Sequence, residues 1–304
     1  MERFEQMRVF VKVAETGSFS EAARQLNKSP PAVTRAVAAL EADIGARLLT
    51  RTTRYTKLTE AGHRYHGDCR RILDDVAESE AVAGGFHGLP KGNLKVTTPI
   101  IFGRIYLVPI LIEYLTTHPG VTASSLLLDR TVNLVEEGID VGIRIGHLND
   151  SSMTAIRVGS IRRVVCGAPS YLEKHGIPRQ PADLTAHSII TSTSSFASLD
   201  WVFGPGQATS TQVAPRLNFN TYDAMIQATL QGWGLSRPLS YHIADHLDSG
   251  ALTTVLTEFE DAPMPVHVIH PEGRRASAKV RAFIDLAVAR LRAEPHLNWG
   301  AASR

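Results

Sequence analysis

The sequence predicts an α/β protein overall, with a small helical segment first, then one long helix, then two α/β lobes. Three observations support this fold class. Apolar residues recur at three- and four-residue steps over residues 4–44, and a longer seam of similar spacing follows from Thr59. From Asn93 onward, strand-like and helical segments alternate. At 304 residues the chain is long enough to bury several cores.

Bulk composition narrows the class of protein. Lys and Arg (32) nearly cancel Asp and Glu (30), so the net charge of +2 does not by itself indicate nucleic acid. The two cysteines, Cys69 and Cys166, lie far apart, which excludes a disulfide framework and predicts a cytoplasmic protein. No run approaches the roughly 20 apolar residues that span a bilayer, and the start is unlike a secretory leader. We therefore expect no membrane contact.

The first helix is predicted by one apolar stripe and ends at Gly17. A short second helix follows Ser18, which forms a capping-box pattern with Glu21. Ser29 caps a third helix whose first turn holds two prolines, where a missing backbone N–H does no harm. The apolar stripes of the three helices are Phe4, Met7, Phe10, Val11 and Ala14; Phe19, Ala22, Ala23 and Leu26; and Val33, Val37, Leu40 and Ile44.

The third helix and the stretch after it predict a winged helix-turn-helix over residues 1–58. Helices two and three of such a unit meet across a tight turn, and the third presents its opposite face, which includes Thr34 and Arg35. A Thr-rich stretch then predicts a small β-hairpin, or wing. Between Arg47 and Lys57 it holds four basic residues and no acidic one.

This arrangement predicts a surface for double-stranded DNA. Lys and Arg beside the inserted helix neutralise phosphates, whereas side chains at its start reach base edges. We assign Arg51, Arg54 and Lys57 to the phosphate backbone, and Thr34 and Arg35 to base readout. The candidates at the start of the helix are Ser29, Pro30 and Pro31. The alternative is that these charges are solvated surface residues of a three-helix domain.

The same stretch resembles the DNA-binding region of LysR-type transcriptional regulators. The match is carried by GSFSEAARQL at 17–26, SPPAVTR at 29–35, LE at 40–41, LLTRTTR at 48–54 and LTEAG at 58–62. Many members of that family carry Gln where this chain has Pro30, although a large subgroup shares the Ser-Pro-Pro form. The resemblance therefore implies apolar readout, or none, at this position.

Residues 59–92 predict a long helix and a hinge. Seven residues follow one another at alternating steps of four and three. A seam with this spacing predicts packing against a partner helix. In the resembled family this helix pairs two chains. The alternatives are a helix packed against its own domain and a metal site at His63, His66 and Cys69, for which no fourth ligand is evident. The seam residues are Tyr65, Cys69, Ile72, Val76, Ser79, Ala83 and Phe86, and the hinge is marked by Gly84, Gly85, Gly88, Pro90 and Gly92.

Residues 93–304 predict two α/β lobes with largely parallel strands. The first lobe, about 93–163 and 269–304, has expected strands at 94–98, 121–128 and 141–145 and helices at 107–115, near 132–137 and at 278–291. The second lobe, about 164–268, has expected strands at 188–192, 217–221 and 235–238 and a helix at 222–231.

Two such lobes form a cleft in which a small molecule binds beside strand ends and helix N-termini. The region resembles the effector domain of the same family, which is similar to periplasmic solute-binding proteins. DVGIRIG at 140–146, PSYL at 169–172, GWGL at 232–235 and VRAFI at 280–284 carry the match. The effector candidates are Thr98, Ile100, Ile101, Phe102 and Arg144 on the first lobe, and Thr193, Ser194 and Thr221 on the second.

Several of these effector candidates have alternatives. Relatives often place a hydroxyl after the first strand to hold an effector carboxylate, whereas this chain has IIF at 100–102, which implies a more apolar ligand or a different binding mode. Arg144 is either an anion partner or a structural lobe-to-lobe contact. Thr193 and Ser194 also suit a turn.

Two other functions stay open at this point. An enzyme needs a nucleophile with a base, or a metal, but Cys166 lies in an apolar strand, and His242, Asp245 and His246 lack the Glu of a His-Glu-x-x-His motif. An architectural DNA-binding protein would have no effector. We expect a regulator without metal or cofactor other than its effector. Its expected partners are DNA and further copies of the chain, joined through the long helix into dimers and then tetramers or larger oligomers.

Overall fold

The structure, a computed structural model, describes residues 3–51, 56–83, 89–148, 153–193, 199–204, 209–271 and 276–298. Arg54 and Ser194 of the predicted sites lie outside these residues, as do Phe86 and the hinge glycines at 84, 85 and 88. The chain divides into two units, Met1–Leu89 and Pro90–Arg304.

Three helices and an antiparallel hairpin open the first unit, as the sequence predicts. Its elements are α1 (Arg3–Thr16), α2 (Phe19–Gln25), α3 (Pro30–Ile44), β1 (Leu49–Arg51), β2 (Thr56–Leu58) and α4 (Glu60–Ala83). Leu49 pairs with Leu58 across the hairpin, and Phe10 and Leu40 are fully buried between the helices. The prediction of a winged helix-turn-helix is confirmed.

Serine side chains cap α2 and α3. The N–H of Glu21 donates to Ser18 Oγ at 3.3 Å, and the N–H of Ala32 donates to Ser29 Oγ at 3.4 Å. The capping box expected at Ser18 and Glu21 is only half formed, because the Glu21 carboxylate accepts from Arg24 at 3.0 and 2.7 Å. Two charge-assisted bonds to a guanidinium are stronger than one bond to a backbone N–H.

The first half of α4 packs on the core of its own unit. Cys69 is fully buried there, and the ring of Tyr65 lies 5.9 Å from that of Phe10. Ile72 and Leu73 contact the same core. The predicted seam therefore needs correction over these residues, because apolar spacing shows that a helix has a partner but not whether the partner belongs to the same chain.

A five-stranded sheet forms the first lobe of the second unit. Its strands are β3 (Gly92–Thr98), β4 (Val121–Leu127), β5 (Val141–Ile145), β6 (Thr154–Ile161) and β13 (Met264–His270). The order is β4-β3-β5-β13-β6. β3 runs parallel to β4 and β5, and β13 runs antiparallel to β5 and β6. Two of its four pairings are parallel and two are antiparallel, so the α/β class is confirmed, but the sheet is mixed rather than largely parallel as expected.

The helix after β3 corrects one expectation. α5 (Ile100–Thr117) is α-helical at Ile100–Phe102, π-helical at Gly103–Leu107 and α-helical again at Val108–Thr117. By length and composition alone this run is apolar enough to cross a membrane, contrary to the expectation that no run approaches that length. Phe102, Leu107 and Tyr114 are fully buried, so packing in the lobe accounts for the apolar composition.

Shorter strands make up the second lobe. Its elements are β7 (Val165–Gly167), α6 (Pro169–His175), β8 (Ile189–Ser192), β9 (Asp200–Phe203), β10 (Thr209–Gln212), β11 (Pro215–Phe219), α7 (Tyr222–Leu230), α8 (Ala244–Asp248) and β12 (Thr253–Val255), with 3-10 turns at Pro181–Ala186, Ser240–His242 and Thr257–Phe259. β8 is parallel to β11, and β7 is antiparallel to β12. Single bridges from Leu235 to Ile189 and from Ser236 to Cys166 connect the two pairs.

Two expected elements differ in the first lobe. The helix expected near 132–137 is a hydrogen-bonded turn, in which Asn133 Oδ1 accepts from the N–H of Val135 and competes with helical bonding. β13 pairs with first-lobe strands from Met264 onward, so the chain returns to that lobe before residue 269. The apolar pattern of a strand does not tell which sheet it joins. The closing helix, α9 (Ala278–Ala293), lies as expected.

Candidate functional site

The exposed face of α3 carries the residues predicted to read bases. Ser29, Pro30, Pro31 and Arg35 are exposed, and Thr34 is half-buried. On the opposite face, both valines and the leucine of the predicted stripe are fully buried. A helix with one buried and one polar face suits a DNA major groove, which is about 12 Å wide.

Three basic side chains of α3 and the hairpin region have no carboxylate partner in the part of the chain that the structure describes. They are Arg35, Arg47 and Lys57, and all three are exposed. Lys28, just before α3, instead pairs with Glu5 at 3.0 Å. Sequence reasoning did not assign Arg47, although it begins the basic stretch. Unpaired cations of this kind gain most from phosphate contact, because no internal ion pair has to break.

Two side chains hold the hairpin against the helices. Glu41 Oε1 accepts from the N–H of Leu48 at 2.7 Å and from the N–H of Leu49 at 3.0 Å. Thr59 Oγ1 donates to the carbonyl of Arg47 at 2.7 Å. Glu41 lies on α3, so these bonds fix the hairpin beside that helix.

Gly62 lets the start of α4 approach the hairpin closely. Its N–H donates to Thr59 Oγ1 at 2.9 Å, and the N–H of Thr59 donates to the carbonyl of Leu48 at 2.9 Å. A Cβ at position 62 would lie 2.0 Å from that carbonyl oxygen. No side chain other than hydrogen fits there without a backbone shift.

Two predicted phosphate contacts, Arg51 and Arg54, belong to the end of β1 and to the sequence just after it. Arg51 pairs through its backbone with Thr56, and its side chain is outside the described residues. All of Arg54 is outside them. Their contact with DNA therefore stays a prediction.

The first-lobe effector candidates lie where β3 passes into α5. Thr98, Ile101 and Phe102 are buried, whereas Ile100 is 39% exposed. Thr98 Oγ1 has no hydrogen-bond partner among the described residues. The N–H of Ile100 donates to Asp129 Oδ1 at 3.1 Å, a contact that sequence reasoning missed. The first turn of α5 therefore already holds a carboxylate, and Ile100 is the side chain that reaches the surface.

Parallel pairing of β8 with β11 places the second-lobe candidates at one edge. Thr193 is exposed, and its N–H donates to the carbonyl of Phe219 at 2.7 Å. Thr221 precedes α7, and its Oγ1 accepts from the N–H of Ala224 at 3.4 Å. Thr221 is therefore a helix N-cap, and Thr193 lies at the same carboxyl edge, where ligands of α/β sheets bind.

Arg144 makes its contacts inside the first lobe. Its Nη2 donates to the carbonyl of Val132 at 3.3 Å, and Nη1 donates to the carbonyl of Ile143 at 3.4 Å. Burial lowers the pKa of the guanidinium, and the charge of Glu137 opposes this shift. The lobe-to-lobe contact considered from the sequence is therefore replaced by contacts within one lobe.

An ion pair and an aromatic cluster join the two lobes. Arg104 on α5 donates to Asp223 on α7 at 3.0 Å. The ring of Tyr241 lies 5.4 Å from that of Phe102 and 6.0 Å from that of Tyr106. Sequence reasoning missed these contacts, since no periodic pattern links residues more than a hundred positions apart.

A second ion pair links the two segments that cross between the lobes. Arg162 follows β6 and Glu260 precedes β13, and Arg162 Nη1 lies 2.7 Å from Glu260 Oε2. Their side chains are only 19% and 11% exposed. Burial raises the pKa of Glu260, and the charge of Arg162 opposes that rise.

Neither cysteine has the surroundings of a nucleophile. Cys166 is fully buried with its Sγ 3.6 Å from Ser236 Oγ, and burial raises the pKa of its thiol to about 12. Burial also raises the pKa of Cys69, to about 11. Thiolate character is what makes a cysteine reactive. Within the described ranges, no group of three or more His, Cys, Asp or Glu is placed to hold a metal ion.

Two protein-family models match the chain. "Bacterial regulatory helix-turn-helix protein, lysR family" matches residues 4–63, and "LysR substrate binding domain" matches residues 87–292. The first match covers the three helices and the hairpin, and the second covers both lobes.

Known relatives match along nearly the whole chain. The HTH-type transcriptional activator AaeR of Escherichia coli (strain K12) is 33% identical over 287 residues, 94% of this chain and 93% of its own. An HTH-type transcriptional repressor of Pseudomonas aeruginosa (strain UCBPP-PA14) is 32% identical over 297 residues, 94% of this chain and 91% of its own. The structure of CrgA, a LysR-type transcriptional regulator from Neisseria meningitidis, matches with 30% identity and a TM-score of 0.61, covering 94% of this chain and 98% of that chain.

Proposed function

Because the chain belongs to the LysR family of bacterial transcriptional regulators, we propose that α3 and the hairpin bind its operator and that a small molecule held between the lobes controls this binding. Members of this family are DNA-binding regulators with an effector-binding domain, not enzymes. The residues that perform the two tasks here are our proposal.

The DNA-binding proposal rests on the free charge of Arg35 on the exposed face of α3. Its guanidinium has no carboxylate partner among the described residues, and it lies one position after Thr34. An Arg side chain on an inserted helix can donate two hydrogen bonds to guanine O6 and N7. Arg47 and Lys57, which follow it in the sequence, supply phosphate contacts, to which Arg51 and Arg54 add.

The test compares Arg35→Ala with Lys174→Ala, an exposed cation on α6 of the other unit. Arg35→Ala should weaken binding to duplexes selected from a random pool by about 1–3 kcal/mol and relax base preference at one position. Lys174→Ala should leave both unchanged. Competition gel shifts at fixed salt measure the two effects. A base preference unchanged in Arg35→Ala would remove this residue from the readout surface.

We place the effector against Ile100 and Thr193, the exposed members of the two candidate groups. Each lies just beyond the carboxyl end of a parallel strand, where open α/β sheets bind ligands. The ligand therefore meets an aliphatic side chain on one lobe and a hydroxyl on the other. This combination suits a small, partly apolar molecule.

A thermal-shift screen of small metabolites on the full chain tests the placement. A ligand that binds the native state raises the melting temperature. Ile100→Asp should abolish that rise, because contact with the ligand's apolar part would remove water from the carboxylate without giving the charge a partner. Ile177→Asp is the matched control, since Ile177 is exposed on the second lobe away from these strands. Equal loss of the rise in both variants would overturn the placement.

We propose further that the second half of α4 pairs two chains and that such dimers assemble into tetramers. The protein acts in the cytoplasm, where its operator is. Among the α4 side chains that the structure describes, Leu73 is the last that packs on the core of the first unit, and the helix continues to Ala83. Helices in proteins gain most of their stability from packing, which favours a partner helix for these last turns. Sedimentation of wild type and Val76→Asp tests the pairing of the two helices. The variant should sediment as a monomer.

A further inference from the structure

A polar cavity of about 610 Å³ lies between α5, α7 and the segment from the Ser240–His242 turn into α8. None of the effector candidates lines it. The C-terminal turn Pro295–Leu297 and the end of α9 close it on one side through Glu294 and His296. This volume is within the range that holds a small organic ligand.

Carboxylates dominate the charge around the cavity. Asp223, Asp245 and Glu294 line it, against one guanidinium, that of Arg104. Arg104 is paired with Asp223 at 3.0 Å. Asp245 and Glu294 have no cationic side chain as partner in the part of the chain that the structure describes, since His296 pairs with Asp248 instead. Two negative charges are therefore available to a ligand.

Two buried polar side chains in the wall have unused hydrogen-bonding atoms. Tyr241 is 1% exposed and His242 is 8% exposed. Neither Tyr241 Oη nor His242 Nδ1 has a hydrogen-bond partner among the described residues. Burial, with the nearby charge of Arg104, lowers the pKa of His242 to about 3, so its ring is neutral near pH 7. A neutral imidazole nitrogen and a phenol oxygen are both acceptors for a charged N–H group.

Aromatic rings complete the wall. Tyr106 and Tyr241 both line the cavity, with ring centroids 6.0 Å apart, and the ring of His242 lies 4.4 Å from that of Tyr241. An aromatic face attracts an ammonium group and also covers an apolar ligand body. Carboxylates, buried acceptor atoms and aromatic rings all favour the same kind of ligand.

We propose that this cavity is a second ligand site, separate from the effector candidates, and that it binds a small organic ammonium ion with an aromatic or aliphatic body. Asp245 and Glu294 hold the ammonium group, and Tyr106 and Tyr241 contact the body. The ligand bridges the two lobes beside the Arg104–Asp223 ion pair, so its occupancy favours the lobe arrangement in which that pair is closed.

Calorimetric titration of the full-length protein with benzylamine at pH 7.5 tests the site. Benzyl alcohol and benzoate have similar bodies but carry no charge or a negative charge. We expect benzylamine to bind with a dissociation constant below about 1 mM, and the other two at least ten-fold more weakly, roughly the worth of one charge-assisted bond. Higher salt should weaken the benzylamine titration. Equal binding of benzyl alcohol, or no binding of benzylamine, would overturn the proposal.

Charge-removing variants locate the binding. Asp245→Asn and Glu294→Gln should each weaken benzylamine about five- to ten-fold. Asp285→Asn, an exposed carboxylate on α9 that does not line the cavity, should bind it as wild type does. A thermal unfolding transition of the second unit like that of wild type shows that each variant is folded. Wild-type affinity in both cavity variants, or an equal loss in Asp285→Asn, would refute the site while leaving the DNA-binding proposal intact.

Discussion

His242 shows how one buried side chain makes stability depend on pH. Its ring lies between those of Tyr222 and Tyr241, and burial is the main cause that lowers its pKa from 6.5 to about 3. Below pH 6.5 the unfolded chain takes up a proton that the folded chain does not. The stabilisation by neutral His242 is therefore complete above pH 6.5 and is lost progressively as pH falls toward 3.

His242→Phe should remove this dependence. Between pH 6 and pH 4, wild type should lose about 1.4 kcal/mol more per pH unit than the variant, since one proton separates them. Urea unfolding at a series of pH values measures the slope. His175→Phe, which changes an exposed histidine, serves as the control. Parallel slopes for wild type and His242→Phe would show that the ring is not kept neutral.

Residue-level predictability depended on how far apart the interacting residues lie. The caps at Ser18 and Ser29 were predictable because each bonds to an N–H three residues later. The bond from Ile100 to Asp129 was not, because 29 positions separate the two. Neither residue type nor spacing marks such a pair in a single sequence.

At the scale of elements, the junction between hairpin and α4 depends on one close approach. Gly62→Ala places a methyl carbon 2.0 Å from the Leu48 carbonyl oxygen, so α4 or the hairpin has to shift. We expect a loss of about 1–3 kcal/mol in the free energy of unfolding of the first unit, together with weaker DNA binding. Thermal unfolding followed by circular dichroism measures the loss. Gly67→Ala, also on α4 but with open space around it, should be neutral or stabilising.

Most helices and strands could be predicted from the sequence, but the elements against which they pack could not. The stripes of α1 and α3, the hairpin and α9 all lie where the sequence places them, because amphipathic periodicity records which face is buried. In α4 the same periodicity was assigned to a second chain, although Tyr65 and Cys69 pack on their own unit. A period identifies a buried face without identifying what covers it.

For the whole molecule, the pair of Arg162 and Glu260 ties together the two segments that connect the lobes. Arg162→Ala leaves the Glu260 carboxylate largely buried without its partner and should cost about 3–5 kcal/mol. The double variant Arg162→Met with Glu260→Leu should recover most of this loss, since an apolar pair needs no desolvation of charge. Urea unfolding of the full chain, followed for the second unit, measures the free energy of unfolding of both variants. A double variant no more stable than Arg162→Ala would show that the pair does not act as a unit.

The sequence predicts two lobes and a cleft, but it does not show at which residues the chain crosses from one lobe to the other. β13 has the apolar pattern of any buried strand, and only its pairing with β5 and β6 shows that it belongs to the first lobe. The contact of Arg104 on α5 with Asp223 on α7 likewise depends on how the two lobes pack. Long-range pairing is set by the packing of the whole chain, which local pattern does not record.

The carboxylate of Asp129 at the first turn of α5 has a consequence for anyone adapting this regulator as a biosensor. An inducer acid would have to compete with a tethered anion that is always present at high local concentration. Library design aimed at acidic inducers should therefore start at position 129, and only then vary the isoleucines next to it.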